Sequence, residues 1–180
     1  MEYRLIRKNR KSVSIKIDPA DLSVVVSAPL WLSKREIDAI VRNHARWIER
    51  QTAIVQARRR AEEAVTPEDI ARWKARAKAE LPPKIAHYAA IMGVKPTGFR
   101  VTSAKKRFGS CSGKNSLSFS YRLMAYPEEA IDYVVVHELA HIKQHNHSRA
   151  FYEVVASVFP DYEKRERLLR QPLPVVIADD

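Results

Sequence analysis

Residues 134–152 read "VVVHELAHIKQHNHSRAFY", and this stretch holds four of the chain's six histidines. His137 and His141 are four residues apart, so on a helix their side chains lie about 40° apart around the axis and one turn apart along it. Two imidazoles placed this way reach one ion. The run His137-Glu138-Leu139-Ala140-His141 is the H-E-x-x-H pattern, in which two histidines hold zinc and the glutamate acts as general base. Glu138 is turned by about 100° from His137, which sets its carboxylate beside the ion and within reach of a water on it.

A catalytic zinc takes three protein ligands and keeps a fourth position open. His145 continues the histidine series, but at about 1.5 Å per residue it lies about 12 Å along the axis from His137, too far to share one ion. The chain must therefore turn back. Asn146 tolerates the left-handed conformation that ends a helix, Ser148 is a capping residue for the next one, and His147 sits in the turn between them. His147 is the preferred third ligand, with Glu153 on the following helix as the alternative. Tyr133, Val134, Val136 and Leu139 wall the site with apolar surface, which keeps an ion's field strong. One zinc ion on His137, His141 and His147, with Glu138 as catalytic base, is the expectation.

Upstream of this segment, "FRVTSAKKRFGSCSGKNSLSFSYRLM" reads as short strands around a turn at residues 112–115. Pro127, Glu128 and Glu129 open the histidine helix, and Pro160 ends a helix that starts at Ser148. Further upstream, Thr66-Pro67 with Asp69 starts a helix that Pro82-Pro83 is expected to stop or kink, and "KIAHYAAIMG" then runs to a capping Gly93. Near the N-terminus "SVSIKI" and "LSVVVSA" flank a "DPAD" turn and form a hairpin, with Tyr3 to Ile6 as a third strand. Ser33 and Glu36 make a capping box for a helix carrying Ile37, Ile40, Val41 and Ile48.

The expected organisation is a hairpin and helix unit at 1–50, a helical connector at 51–82, a catalytic domain at 83–172 and a tail at 173–180. Single Cys111 makes no intrachain disulfide, the N-terminus lacks an apolar signal core, and no apolar run reaches the roughly 18 residues of a membrane span. A cytoplasmic protein with no membrane association is expected. The formal charge of +11 is uneven, with residues 66–126 carrying 12 basic against 3 acidic side chains and residues 127–180 carrying 6 against 10. A basic excess of this kind is compatible with nucleic acid as a partner.

Three segments, "KRFGSCS" (106–112), "IDYVVVHELAHIKQHNHSRAFY" (131–152) and "FPDYE" (159–163), resemble the YgjP-like metal-dependent hydrolases, relatives of the SprT and WLM zinc metallopeptidases. "KSVSIKID" and "WIER" in the N-terminal part fit the same pattern. The resemblance implies an α+β, zincin-like metallopeptidase domain in which a short antiparallel sheet lies beside the active-site helix. It places zinc on His137, His141 and His147 and the base on Glu138, acting on a protein or peptide substrate laid along residues 106–112. Where relatives commonly carry Trp, this chain has Phe108 and the pair Phe151-Tyr152. Arg107, Tyr126 and Tyr152 are the candidates for steadying an oxyanion, and Cys111 is expected to be a small buried hydrophobe. The other reading is a nucleic-acid-associated basic module whose zinc is structural or serves a protease acting on DNA-bound proteins.

Overall fold

The computed structural model describes residues 1–173, and the chain divides into two units, Met1–Glu63 and Ala64–Asp180. In the first, β1 (Arg4–Lys8), β2 (Ser14–Ile17) and β3 (Val24–Pro29) form a sheet of order β1-β3-β2, followed by α1 (Lys34–Asn43) and α2 (Ala45–Glu63). The expected hairpin is the antiparallel pair β2 and β3, with Ile15 opposite Val26. The expected third strand joins parallel to β3, with Leu5 beside Val26. Ser33 and Glu36 close the capping box of α1, and Val26, Ala28, Ile37, Val41 and Ile48 make the core of this unit. Because α2 continues unbroken to Glu63, the expected boundary at residue 50 falls inside a helix.

The second unit opens with α3 (Pro67–Met92), capped by Thr66 and Asp69 and ended by left-handed Gly93. It continues as one helix through Pro82 and Pro83, so of the expected stop or kink the stop does not occur, and the boundary at residue 82 also falls inside a helix. Two prolines remove backbone donors and cost about 3 kcal/mol each in a free helix. Burial outweighs them: Trp73, Ala77, Leu81, Ile85, Ala89 and Met92 continue one buried stripe on both sides of the prolines. Side chains tie α3 down as well, with Arg76 donating to the Met124 carbonyl at 2.8 Å and Lys84 pairing with Asp132 at 2.7 Å.

β4 (Gly98–Thr102), β5 (Gly109–Cys111) and β6 (Ser116–Ser120) form a sheet of order β4-β6-β5, followed by a 3₁₀ turn at Tyr121–Ala125. β5 and β6 are the expected antiparallel pair, whereas β4 runs parallel to β6, so the sheet is mixed. One face of β6 buries Leu117 and Phe119 completely. Alternation along the strands puts Ser110, Ser118, Arg100 and Thr102 on the other face.

α4 (Glu128–Ala140) is apolar on nearly every side, with Ile131, Val134, Val135, Val136 and Leu139 all buried, which marks it as the helix at the centre of the unit. α5 (Arg149–Val158) and α6 (Tyr162–Leu168) follow. Trp73 and Tyr121 are core aromatics stacked at 6.5 Å, while Trp31 is 72% exposed and belongs to no core. No helix among the described residues is long and apolar enough to cross a membrane. From residue 174 on, the expected tail lies outside the described residues.

Candidate metal centre

Helix α4 carries His137 and Glu138 on its last turn and ends with His141 as its C-cap, still in the right-handed helical region. The chain then reverses through a tight turn in which the Ile142, Lys143 and Gln144 amides donate to the Leu139 and Ala140 carbonyls. Asn146 does not adopt the expected left-handed conformation; among the described non-glycine residues only Leu22 and Asn115 do. Its side-chain oxygen accepts from the Ser148 amide at 3.3 Å instead, a local bond that turns the chain without a positive φ. Ser148 occupies the N-cap position of α5 but makes no side-chain cap bond.

The reversal brings three imidazoles together. One ring nitrogen from each of His137, His141 and His147 lies within 4.8 Å of the others. The closest pair is Nε2 of His137 and Nε2 of His147 at 3.1 Å. Two nitrogens bound to tetrahedral zinc at 2.0–2.1 Å stand about 3.3 Å apart, so the donor set fits such an ion in chemistry and the His137–His147 pair fits it in spacing. His141 presents Nδ1 to the Gln144 carbonyl at 3.1 Å, which fixes the proton there and leaves Nε2 free to bind a metal. The Tyr133 hydroxyl stands 3.4 Å from Nδ1 of His137 and can do the same for that ring. The alternative ligand does not join the group, since exposed Glu153 is engaged by Arg149 at 2.8 Å, and His145, ruled out on distance, is not part of it either.

Two further residues against the site were not assigned to it from the sequence. Phe151, wholly buried on α5, sits with its ring centroid 4.8, 4.6 and 4.8 Å from those of His137, His141 and His147, so one aromatic ring braces all three. Gly109 on β5 lies against Glu138: a Cβ there would meet Oε1 at 2.5 Å and Cγ at 2.6 Å. The "RFGSC" stretch offers the only hint, a glycine inside a strand, where the absence of a side chain often marks a close approach.

Burial governs the site's protonation. Glu138 is 5% exposed and its Oε2 has no hydrogen-bond partner. Burial pushes its pKa up to about 7, opposed by the positive charge of Arg107. His137 is pushed down to about 4 by burial and then by repulsion from His141 and His147. His141 shifts down for the same first reason, against the bond to Gln144. These shifts keep the His137 and His141 imidazoles neutral near pH 7, the state in which they bind metals. Cys111 is raised by burial and by the charge of Glu138, so it stays a thiol and has no nucleophilic activation. Of the three oxyanion candidates, Tyr126 is buried and donates to the Gln171 carbonyl at 3.1 Å, and Tyr152 stacks on Tyr162 with its ring 6.3 Å from His147. Arg107 stands out as the cation whose field reaches Glu138.

Comparison with known proteins adds a family. A UTP pyrophosphatase of Escherichia coli strain K12 is 29% identical over 69 residues, which span 38% of this chain and 41% of that relative. Among solved structures, the metallopeptidase zymogen abylysin of Pyrococcus abyssi matches at a TM-score of 0.46 with 26% identity, covering 49% of this chain and 90% of that one. The metallopeptidase zymogen jannalysin of Methanocaldococcus jannaschii matches at 0.46 with 20% identity, covering 50% and 93%. The model of the YgjP-like metallopeptidase domain matches residues 11–72 and 59–172. With nearly the whole chain so covered, and with its histidines gathered beside a buried glutamate, this protein belongs to the YgjP-like metallopeptidase domain family.

Proposed function

We propose that the protein is a zinc-dependent peptidase in which His137, His141 and His147 hold the ion and Glu138 is the general base. The observation that carries this reading is the convergence of three imidazole nitrogens within 4.8 Å beside a buried carboxylate with a partnerless oxygen. When bound, zinc would supply a Lewis acid that lowers the pKa of water toward 7 and polarises a carbonyl. Glu138 would take the proton of the attacking water and return it to the leaving amine; a pKa near 7 suits both halves of that exchange. Arg107 limits how far burial can raise that pKa, and Gly109 gives the carboxylate room. The free edge of β5 offers backbone groups to an extended peptide.

Metal content and hydrolysis of an unfolded protein substrate test the reading together. Wild type should bind one equivalent of zinc, His147→Ala should lose it, and Glu138→Gln should keep it while losing hydrolysis about 10²- to 10⁴-fold. A full equivalent of zinc in His147→Ala would remove that residue from the ligand set and return Glu153 to consideration. The E. coli relative named as a UTP pyrophosphatase supports a second reading, cleavage of a phosphoanhydride by the same groups. UTP assayed beside the protein substrate separates the two. The basic stretch before α4 supports association with nucleic acid, for which salt-dependent duplex binding that survives Glu138→Gln is the test.

A further inference from the structure

Between Glu80 and Glu128 the chain contains no aspartate or glutamate, yet it contains Lys95, Arg100, Lys105, Lys106, Arg107 and Lys114. This segment includes all three strands of the second unit's sheet. Several helical arginines elsewhere are paired within their own helix, as in Arg59–Glu63, Arg76–Glu80 and Arg149–Glu153. Among the described residues, Lys95, Arg100, Lys106 and Lys114 have no ion pair. A solvated sheet face ordinarily mixes both signs, since like charges across strands repel. One-signed charge on this scale favours an anionic partner.

The polar face of the sheet adds a shaped feature to that charge. Arg100, Thr102, Arg107, Ser110 and Ser118 line a pocket of about 60 Å³. Ser110 and Arg100 stand on either side of Ser118 in the strand register, and Arg100 Nε donates to the Ser118 hydroxyl at 2.9 Å, which holds the guanidinium over the strand. Two guanidinium groups and the Ser110 and Ser118 hydroxyls supply donors with no carboxylate among the lining residues, while the Thr102 and Ser120 hydroxyls donate to the Phe119 and Ala104 carbonyls. Arginine's planar fork matches phosphate oxygens, and hydroxyls complete such sites. Gly109 also lines the pocket, and it is the residue against which Glu138 packs.

We infer that this pocket binds a phosphate group, with Arg100 as its principal anchor and Arg107, Ser110 and Ser118 as further donors. The phosphate belongs either to a small phosphorylated compound or to a nucleic-acid backbone. The assignment does not depend on the metal centre, because binding is measured in metal-stripped protein, so hydrolysis and phosphate binding can fail separately.

The experiment titrates the metal-stripped full chain with inorganic tripolyphosphate, UTP and a short oligothymidylate by calorimetry. Wild type is compared with Arg100→Ala, Ser118→Ala and, as a control for general charge, Lys16→Ala in the first unit. Hydrogen bonds to charged groups predict that Arg100→Ala weakens binding about 10- to 100-fold, with Lys16→Ala unchanged. Saturable binding of tripolyphosphate and UTP that follows this pattern identifies a small phosphorylated ligand. Binding of the oligonucleotide alone, with the same sensitivity to Arg100→Ala, identifies a nucleic-acid backbone. Absence of binding by all three probes, or equal losses in Arg100→Ala and Lys16→Ala, overturns the site. Circular dichroism of exposed Arg100→Ala verifies folding, and Ser118→Ala provides an independent arm that keeps the local charge.

Discussion

Replacing Gly109 by alanine adds one methyl group and should silence the proposed site through the Glu138 side chain. The new Cβ would stand 2.5 Å from Oε1, 2.6 Å from Cγ and 2.8 Å from Cδ of Glu138. Relaxed contacts between carbon atoms need about 3.5–4.0 Å, so the Glu138 side chain or the β5 backbone must move by about 1 Å. Neither is free to do so, because Glu138 is 5% exposed and Gly109 is paired with Phe119, which is fully buried. Overpacking of this kind costs about 1–3 kcal/mol of stability. A catalytic group misplaced by about 1 Å loses roughly 10²-fold in rate. The three nearest atoms all belong to Glu138 and none to an imidazole, so zinc content should remain at one equivalent. Hydrolysis of an unfolded protein substrate, metal analysis and urea denaturation on one preparation separate the effects. Wild-type turnover in a stable, zinc-loaded Gly109→Ala protein would refute the placement of Glu138 as the base.

The metal-free protein should show a compensated response to pH. His137, lowered to about 4 from an ordinary value near 6.5, contributes stability that is present above 6.5 and lost as pH falls toward 4. Glu138, raised to about 7, acts in the opposite sense: its penalty grows as pH rises from about 4.5 toward 7. His141, lowered as well, adds to the His137 side, so wild type should lose only part of its urea stability between about pH 6.5 and 4.5, while Glu138→Gln uncovers a fall larger by about 3 kcal/mol; a flat profile in the variant would contradict the burial of His137. Pro83→Ala, at an exposed position inside α3, should raise stability by about 2 kcal/mol, the helix penalty less the entropy that proline removes from the unfolded chain. Loss of stability there would mean that the proline ring has a packing role. Phe151→Ala should cost about 3–5 kcal/mol and weaken zinc binding at once, whereas Phe151→Leu should retain most of the stability and lose ring contact with the three imidazoles; calorimetric zinc titration of the leucine variant checks the second effect.

What could be read from the sequence was what is local along the chain. His137, Glu138 and His141 are fixed by helical spacing, and the need for a third ligand past the helix end pointed to His147. The detail of the reversal was not legible, because Asn146 can turn a chain either through a left-handed backbone or through a side-chain bond, and both use the same residue. Pro82 and Pro83 misled because a helix-breaking preference worth a few kcal/mol is weaker than a buried stripe running from Trp73 to Met92. The antiparallel pairing of β5 and β6 follows from their short connection. The parallel entry of β4 depends on where α3 delivers the chain, which no local pattern encodes. Gly109 reaches Glu138 across a distance in sequence that spacing arguments do not span, whereas Phe151, four residues past His147, was legible only as an aromatic near the histidines.

The bracing ring of Phe151 also bears on how tightly a cation can be captured. Each imidazole already rests against it, so the torsional freedom that loose side chains surrender on ligation has been given up during folding. A trap of this kind competes for scarce ions better than a floppy one with the same three nitrogens, and the difference should appear in the entropy of zinc capture more than in its heat.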